Sequence, residues 1–210
     1  MNAESIANLL VKIECLKVSP SDPFTYASGL KGPLYCDNRK ALGYVEEREL
    51  IVKAFVERIK AWGKDFDAVC GLATAGIPHA AFIADALKKP MIYVRSKPKA
   101  HGKGNQVEGH YEAGQKIIMI EDLVNQGKSL AEALDGVRNA QLDPLACFCI
   151  VDYQMAAAKE VIRSYQLELI SLTNFDSILK SSLEQGFISE EEGKLLVDWQ
   201  RDPANWKNHP

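Results

Sequence analysis

The chain has 210 residues, 47% of them apolar and 25% charged, and a formal net charge of −3. That is enough for one sizeable core of ordinary globular composition, without the global basic field that recruits nucleic acid. No apolar stretch reaches membrane-spanning length, and no basic-then-apolar leader opens the chain, so a soluble cytoplasmic protein is expected.

Ile6, Leu9, Leu10 and Ile13 mark an amphipathic first helix. Phe24 to Arg39, rich in Gly, Pro, Ser and aromatics, reads as a turn with short strands. Ile51, Phe55, Ile59 and Trp62 predict a second helix, closed by Gly63. Phe66 to Leu72 is a short buried strand. A loop over Ala73 to Gly76 follows, and Pro78 sits in the first turn of a helix reaching Leu87. Met91 to Arg95, Ile117 to Ile120, Ala146 to Val151 and Leu167 to Leu172 are further strands. Helices at about 129–140 and 155–165 separate the last three. Ser189 and Glu192 form a capping box before a final helix with Leu195, Leu196 and Trp199, stopped at Asp202-Pro203. Strands alternating with helices predict an α/β fold, a mostly parallel sheet with helices on both faces.

The five cysteines, Cys15, Cys36, Cys70, Cys147 and Cys149, are odd in number and form no C-x-x-C pair. This argues against a disulfide scaffold and a zinc site. Cys70, Cys147 and Cys149 lie in apolar runs and read as buried small hydrophobes. No His, Cys or carboxylate set has metal-ligand spacing, and no nucleophile motif such as G-x-S-x-G occurs.

The most informative stretch runs from Lys116 to Ser129. An apolar run ends in Glu121 and Asp122, then come a polar loop with Gly127 and a helix. Ser129 and Glu132 have capping-box spacing. A helix N-terminus offers free N–H groups and positive dipole to an anion. Two adjacent carboxylates suit hydroxyl groups or a hydrated Mg²⁺. A ribose 5-phosphate has both features. The alternative is a buried strand ending in solvated acids. Gly127-Lys128-Ser129 ends like a P-loop, but Asp122 occupies the position of its first glycine and would point at the phosphates, so that motif is rejected.

Arg95 to His110 is a concentrated cationic loop holding Arg95, Lys97, Lys99, His101 and Lys103. Gly102, Gly104 and Gly109 give it freedom to close. It suits a pyrophosphate leaving group, although a solvated loop with incidental lysines is the plainer reading of the same residues. Gly71 to Pro78 links a strand to a helix start that can meet phosphate oxygens, or is simply a tight turn. In the Phe24 to Arg39 stretch, Tyr35 can stack on a flat base and Lys31 or Arg39 can meet an anion. A hairpin packed over the sheet edge explains that stretch equally. His79, on an otherwise apolar helix, reads as structural.

Together these residues resemble a known family. The strand-acid-acid-loop-helix segment is similar to the 5-phosphoribosyl 1-diphosphate (PRPP) signature of type I phosphoribosyltransferases. Phe24-Thr25, Ser28-Gly29, Lys31, Pro33 and Asp37-Asn38-Arg39 resemble the N-terminal region of orotate phosphoribosyltransferases. Ala73 to Pro78 resembles their pyrophosphate loop, and Tyr93 to Asn105 their catalytic loop. The resemblance covers nearly the whole chain.

It implies the type I phosphoribosyltransferase fold in one domain over 1–210, with about 1–45 and the C-terminal helix building a small N-terminal hood and its packing. It implies transfer of the phosphoribosyl group from PRPP to orotate, giving orotidine 5′-monophosphate and pyrophosphate. The cofactor would be Mg²⁺, bound mainly through PRPP near Glu121 and Asp122. The protein would be a homodimer with active sites shared across the interface. By position, Arg95, Lys99 and His101 are the implied catalytic residues. PRPP would be held by these with Lys103, Thr74, Glu121, Asp122, Leu123, Val124, Asn125, Gln126, Gly127, Lys128 and Ser129. Orotate would meet Asn125, Tyr35, Cys36 and Lys31.

Departures from the family pattern are visible. Its phosphate loop usually reads Thr or Ser, Thr, Gly, Gly, Ser, whereas here it reads Asn125, Gln126, Gly127, Lys128, Ser129. Lysines that one branch carries at the positions of Ala27, Ala75 and Ser96 are missing. Two further readings accommodate these changes: a PRPP- or nucleotide-sensing regulator without chemistry, and a phosphoribosyltransferase for another base.

Overall fold

The computed structural model describes residues 1–26, 29–97 and 105–206. Its centre is a six-stranded sheet in the order β10-β9-β8-β5-β6-β7. These strands are β5 (Ala68–Leu72), β6 (Met91–Val94), β7 (Val107–Glu108), β8 (Lys116–Val124), β9 (Asp143–Asp152) and β10 (Glu168–Asn174). All neighbours run parallel except β6 and β7. Helices α3 (Gly76–Leu87), α4 (Lys128–Asn139) and α5 (Ala156–Tyr165) make the crossovers. The buried residues of β5, β8 and β9 form the middle of the core, with Cys70, Cys147 and Cys149 among them. Among the described residues no helix is long and apolar enough to cross a membrane.

Most sequence-predicted elements stand close to their places. Helix α1 (Ala3–Lys12) buries Ile6, Leu9 and Leu10. Helix α2 (Val45–Trp62) buries Ile51, Phe55 and Ile59 and ends on Gly63 in the left-handed region, φ 73°. The last helix, α7 (Glu190–Arg201), starts with both halves of the Ser189–Glu192 capping box. Four elements were not anticipated: β1 (Leu16–Val18), a 3-10 helix before α2, the short β7, and α6 (Phe175–Glu184). The N-terminal stretch folds as small antiparallel pairs. These are β1 with β4 (Leu34–Cys36), and β2 (Phe24–Thr25) with β3 (Lys31–Gly32). A 3-10 helix, Asn38–Gly43, leads from there into α2.

Two expectations at α4 are corrected. Its N-cap is Gly127 at φ 81°, with no side-chain cap hydrogen bond. Ser129 therefore lies inside the helix and cannot cap it. Gly127 is required twice over, by its left-handed backbone and by the α5 residue Ala158, whose Cα would lie 2.9 Å from an added Cβ. Strand β8 also extends beyond Ile120, so that Glu121 and Asp122 lie within it. Its pairing with β5 stops at Gly71 opposite Ile120, and among the described residues only β9 pairs with it further.

The sheet order reverses direction at β5 and β8, the crevice where such sheets bind ligands. Helix α3 closes on that crevice through Gly76, where an added Cβ would lie 2.2 Å from the Ile120 carbonyl oxygen. Gly76→Ala should therefore destabilise the fold by about 1–3 kcal/mol, as overpacking against backbone does. Gly43→Ala, with nothing within 4 Å of the new methyl, should stay within about 0.5 kcal/mol. Denaturant unfolding of the two variants checks both values.

Candidate active site

The loops leaving β5 and β8 line one cleft of about 680 Å³. Three walls meet there. Ala73, Thr74 and Ala75 come from the end of β5 and the turn into α3, and the Ala73–Thr74 peptide is cis. Glu121, Asp122 and Leu123 come from the part of β8 that β5 does not cover, continuing into Asn125 to Ser129 at the start of α4. The third wall, Cys36, Asp37 and Arg39, is brought over from the N-terminal region.

The two carboxylates differ. Glu121 is 6% exposed, whereas Asp122 is half-buried. Adjacent strand residues point to opposite faces, so both reach the cleft only because β5 has already ended. The Asp122 main-chain N–H donates to Glu121 Oε1 at 2.9 Å, and its carbonyl accepts from Asn38 Nδ2 at 2.9 Å. Burial pushes the Glu121 carboxyl well above the usual carboxylate range, and the Asp122 charge pushes the same way. Across the cleft, Arg39 Nε donates to Asp37 Oδ1 at 2.6 Å, and that bond holds the Asp37 carboxyl below its usual range.

At the other end lies the start of α4. Its first N–H groups have no intrahelical partner and no side-chain cap. With the helix dipole they make a ready anion site. Lys128 adds a cation at the same place. Asn125 borders the cleft with a buried Oδ1 that has no hydrogen-bond partner among the described residues.

Of the sequence-predicted residues, Thr74, Glu121, Asp122, Leu123, Asn125, Gln126, Gly127, Lys128, Ser129 and Cys36 line the cleft. Arg95 lines a small recess beside it, shared with Glu121 and Ser129, and its guanidinium stands 3.6 Å from Glu108. Three residues are not brought to the cleft wall. Val124 is 2% exposed, because strand alternation turns its side chain into the core while its carbonyl accepts from the Tyr153 N–H. Lys31 is exposed on the two-residue strand β3. Tyr35, 40% exposed, packs its ring 5.6 Å from Phe24. Lys99, His101 and Lys103 lie outside the described residues. Sequence reasoning missed Asn38 as a support of the acidic pair. Its only signal was its place between Asp37 and Arg39.

A parallel sheet with an acid pair and an uncapped helix start at its switch point defines the class. A family model, described as phosphoribosyl transferase domain, matches residues 44–181. An orotate phosphoribosyltransferase of Listeria monocytogenes is 40% identical over 203 residues, covering 97% of each chain. One from Coxiella burnetii is 40% identical over 205 residues, covering 98% of each. The crystal structure of orotate phosphoribosyltransferase from Aeropyrum pernix aligns with a TM-score of 0.70 at 27% identity, covering 86% of this chain and 99% of that one. The chain belongs to the orotate phosphoribosyltransferase family.

Burial at Glu121 has a consequence for stability. Its folded-state pKa is raised above the unfolded value of 4.5, so its contribution is complete below that pH and is lost as pH climbs through the folded value. Glu121→Gln, which cannot ionise, should melt above wild type at neutral pH, with the gain vanishing below pH 4.5. Thermal unfolding of both proteins across that range measures it.

Proposed function

We propose that this protein transfers the 5-phosphoribosyl group of PRPP to orotate, releasing pyrophosphate, in the synthesis of pyrimidine nucleotides. The observation that carries the reading is the convergence of Glu121, Asp122 and the uncapped start of α4 on one cleft. The ribose 2′- and 3′-hydroxyls would lie on the acid pair, and the 5-phosphate on the N–H groups of residues 125–129. Thr74 would face the pyrophosphate. Asn125 Oδ1, buried and unpartnered among the described residues, fits as acceptor for a ring N–H of the base. Cys36 would border the ring, with Lys31 and Tyr35 approaching from the hood.

The reaction breaks the bond from C1 of the ribose to a pyrophosphate oxygen and joins C1 to a pyrimidine nitrogen. Orotate's nitrogen can already be an anion, and positive charge grows on the ribose, so no strong base is needed. The protein's part is orientation, neutralisation of pyrophosphate and exclusion of water. Arg95 stands beside the cleft for the second task. Lys99 and His101, with Lys103 assisting, would stabilise or protonate the departing group. Mg²⁺, which keeps several waters and takes few carboxylates, fits Glu121 and Asp122 as a substrate-borne ion that offsets the diphosphate charge. Among the described residues no three ligating side chains converge on a metal position. We further propose a homodimer. The α2–α3 face supports it, with Phe82 exposed over a groove of about 390 Å³ lined by Val52 and Val56.

A panel of orotate, uracil and purine bases, each with PRPP and Mg²⁺, tests the reading. Orotate alone should give nucleotide and pyrophosphate. Pyrophosphate release only with another base, or PRPP binding without release, would contradict it. Lys99→Ala should lower kcat about 100-fold, and an unchanged kcat removes that lysine from the chemistry.

A further inference from the structure

The third wall of the cleft holds a cation that the proposed chemistry leaves unused. Arg39 lies beside Cys36 and Asp37 on that wall, in the 3-10 helix Asn38–Gly43. Its Nε donates to Asp37 Oδ1 at 2.6 Å, and its two terminal nitrogens make no hydrogen bond among the described residues. The Arg39 side chain is 65% exposed and that of Asp37 16%. A pair so open to water adds little to stability. Its effect is on orientation: Asp37 takes one N–H of the guanidinium, and the four on the terminal nitrogens are left as donors beside the cleft.

The substrates of the proposed reaction bring anions to three places: the 5-phosphate, the diphosphate and the carboxylate of orotate. The start of α4, with Lys128, suits the first. Arg95 shares its recess with Leu72 and Ala73 at the end of β5, on the side of the Thr74 loop, and suits the second. Among the described residues lining the cleft the only cations are Arg39 and Lys128, so Arg39 is left for the third. Its place fits. The carboxylate of orotate sits on the ring carbon next to the nitrogen that joins the ribose, so it comes close to the sugar when the two substrates are aligned. Asn38, the residue before Arg39, holds the carbonyl of Asp122 at 2.9 Å, and Asp122 is where the proposed function seats the ribose diol.

Resting on the function proposed above, we infer that Arg39 binds the carboxylate of the pyrimidine and so sets the preference for orotate over uracil. The two terminal nitrogens of a guanidinium match the two oxygens of a carboxylate side by side. Because Asp37 occupies Nε, the base is held without breaking that bond, and Asp37 is the positioning residue that fixes the fork. Uracil brings no charge to this wall and leaves the guanidinium to water.

Orotidine 5′-monophosphate and uridine 5′-monophosphate differ only in the carboxylate, so their binding to wild type and to Arg39→Gln, measured by calorimetry, tests this. Arg39→Gln should weaken orotidine 5′-monophosphate about 10- to 30-fold, the scale of a charge-assisted pair partly open to water, and change uridine 5′-monophosphate and PRPP less than about twofold. The KM for orotate should rise by the same factor as the Kd of its nucleotide. The variant should melt with wild type, since it loses an exposed side chain. Equal weakening of the two nucleotides, with or without a fall in melting temperature, makes Arg39 a structural residue and overturns the inference. Loss of PRPP affinity assigns it to the donor instead and also overturns it. Wild type that turns over orotate, while Arg39→Gln keeps the same KM, overturns the inference alone. Wild type that makes no nucleotide from orotate overturns the proposed function along with it.

Discussion

The site depends on a difference in length between two neighbouring strands. β5 stops at Leu72, and β8 runs on to Val124 with β9 as its only strand partner among the described residues. Beyond Ile120 one edge of β8 has no strand partner among the described residues. In a fully paired parallel sheet, a central strand is covered on both faces and has no place for two consecutive carboxylates. Here the missing partner turns the same positions into the floor of a cleft. The Gly76 contact with the Ile120 carbonyl sets the distance, because it lets α3 and its loop close on β8 at the level where β5 ends. Every other wall is hung on that arrangement.

The energetics of the site run against the stability of the free chain. Glu121 is buried beside a like charge, and Asn38 Oδ1 and Asn125 Oδ1 lack partners among the described residues. A well-packed apolar core surrounds these groups, and Ile118, Met119, Ile120 and Phe148 are completely buried. The polar cost is concentrated at the end of one strand while the rest of β8 supplies burial. This is the distribution expected where ligand binding, and not folding, satisfies the last polar groups.

Much of this was legible because local rules and the global fold agree. Gly63 ends α2 in the left-handed conformation that glycine favours, and Ser189 with Glu192 makes the expected capping box. The acid pair at the end of an apolar run located the cleft. The failures have physical causes. Helix α6 begins on Asn174, itself the last residue of β10, so no loop announces it, and Ser181 and Ser182 interrupt its buried face with polar residues. At α4, the serine spacing imitated a cap that Gly127 already provides through its backbone. The third wall of the cleft was the least readable part. It is tied to β8 by the hydrogen bond from Asn38 to the Asp122 carbonyl, a tertiary contact across 84 residues, which no local pattern encodes.

A crystal structure of the protein with PRPP tests the central claim most directly. The account predicts the ribose diol within hydrogen-bonding distance of the Glu121 and Asp122 carboxylates, and the 5-phosphate on the main-chain N–H groups that open α4. A sugar seated elsewhere, or a 5-phosphate bound away from the start of α4 with the acid pair untouched, would contradict it.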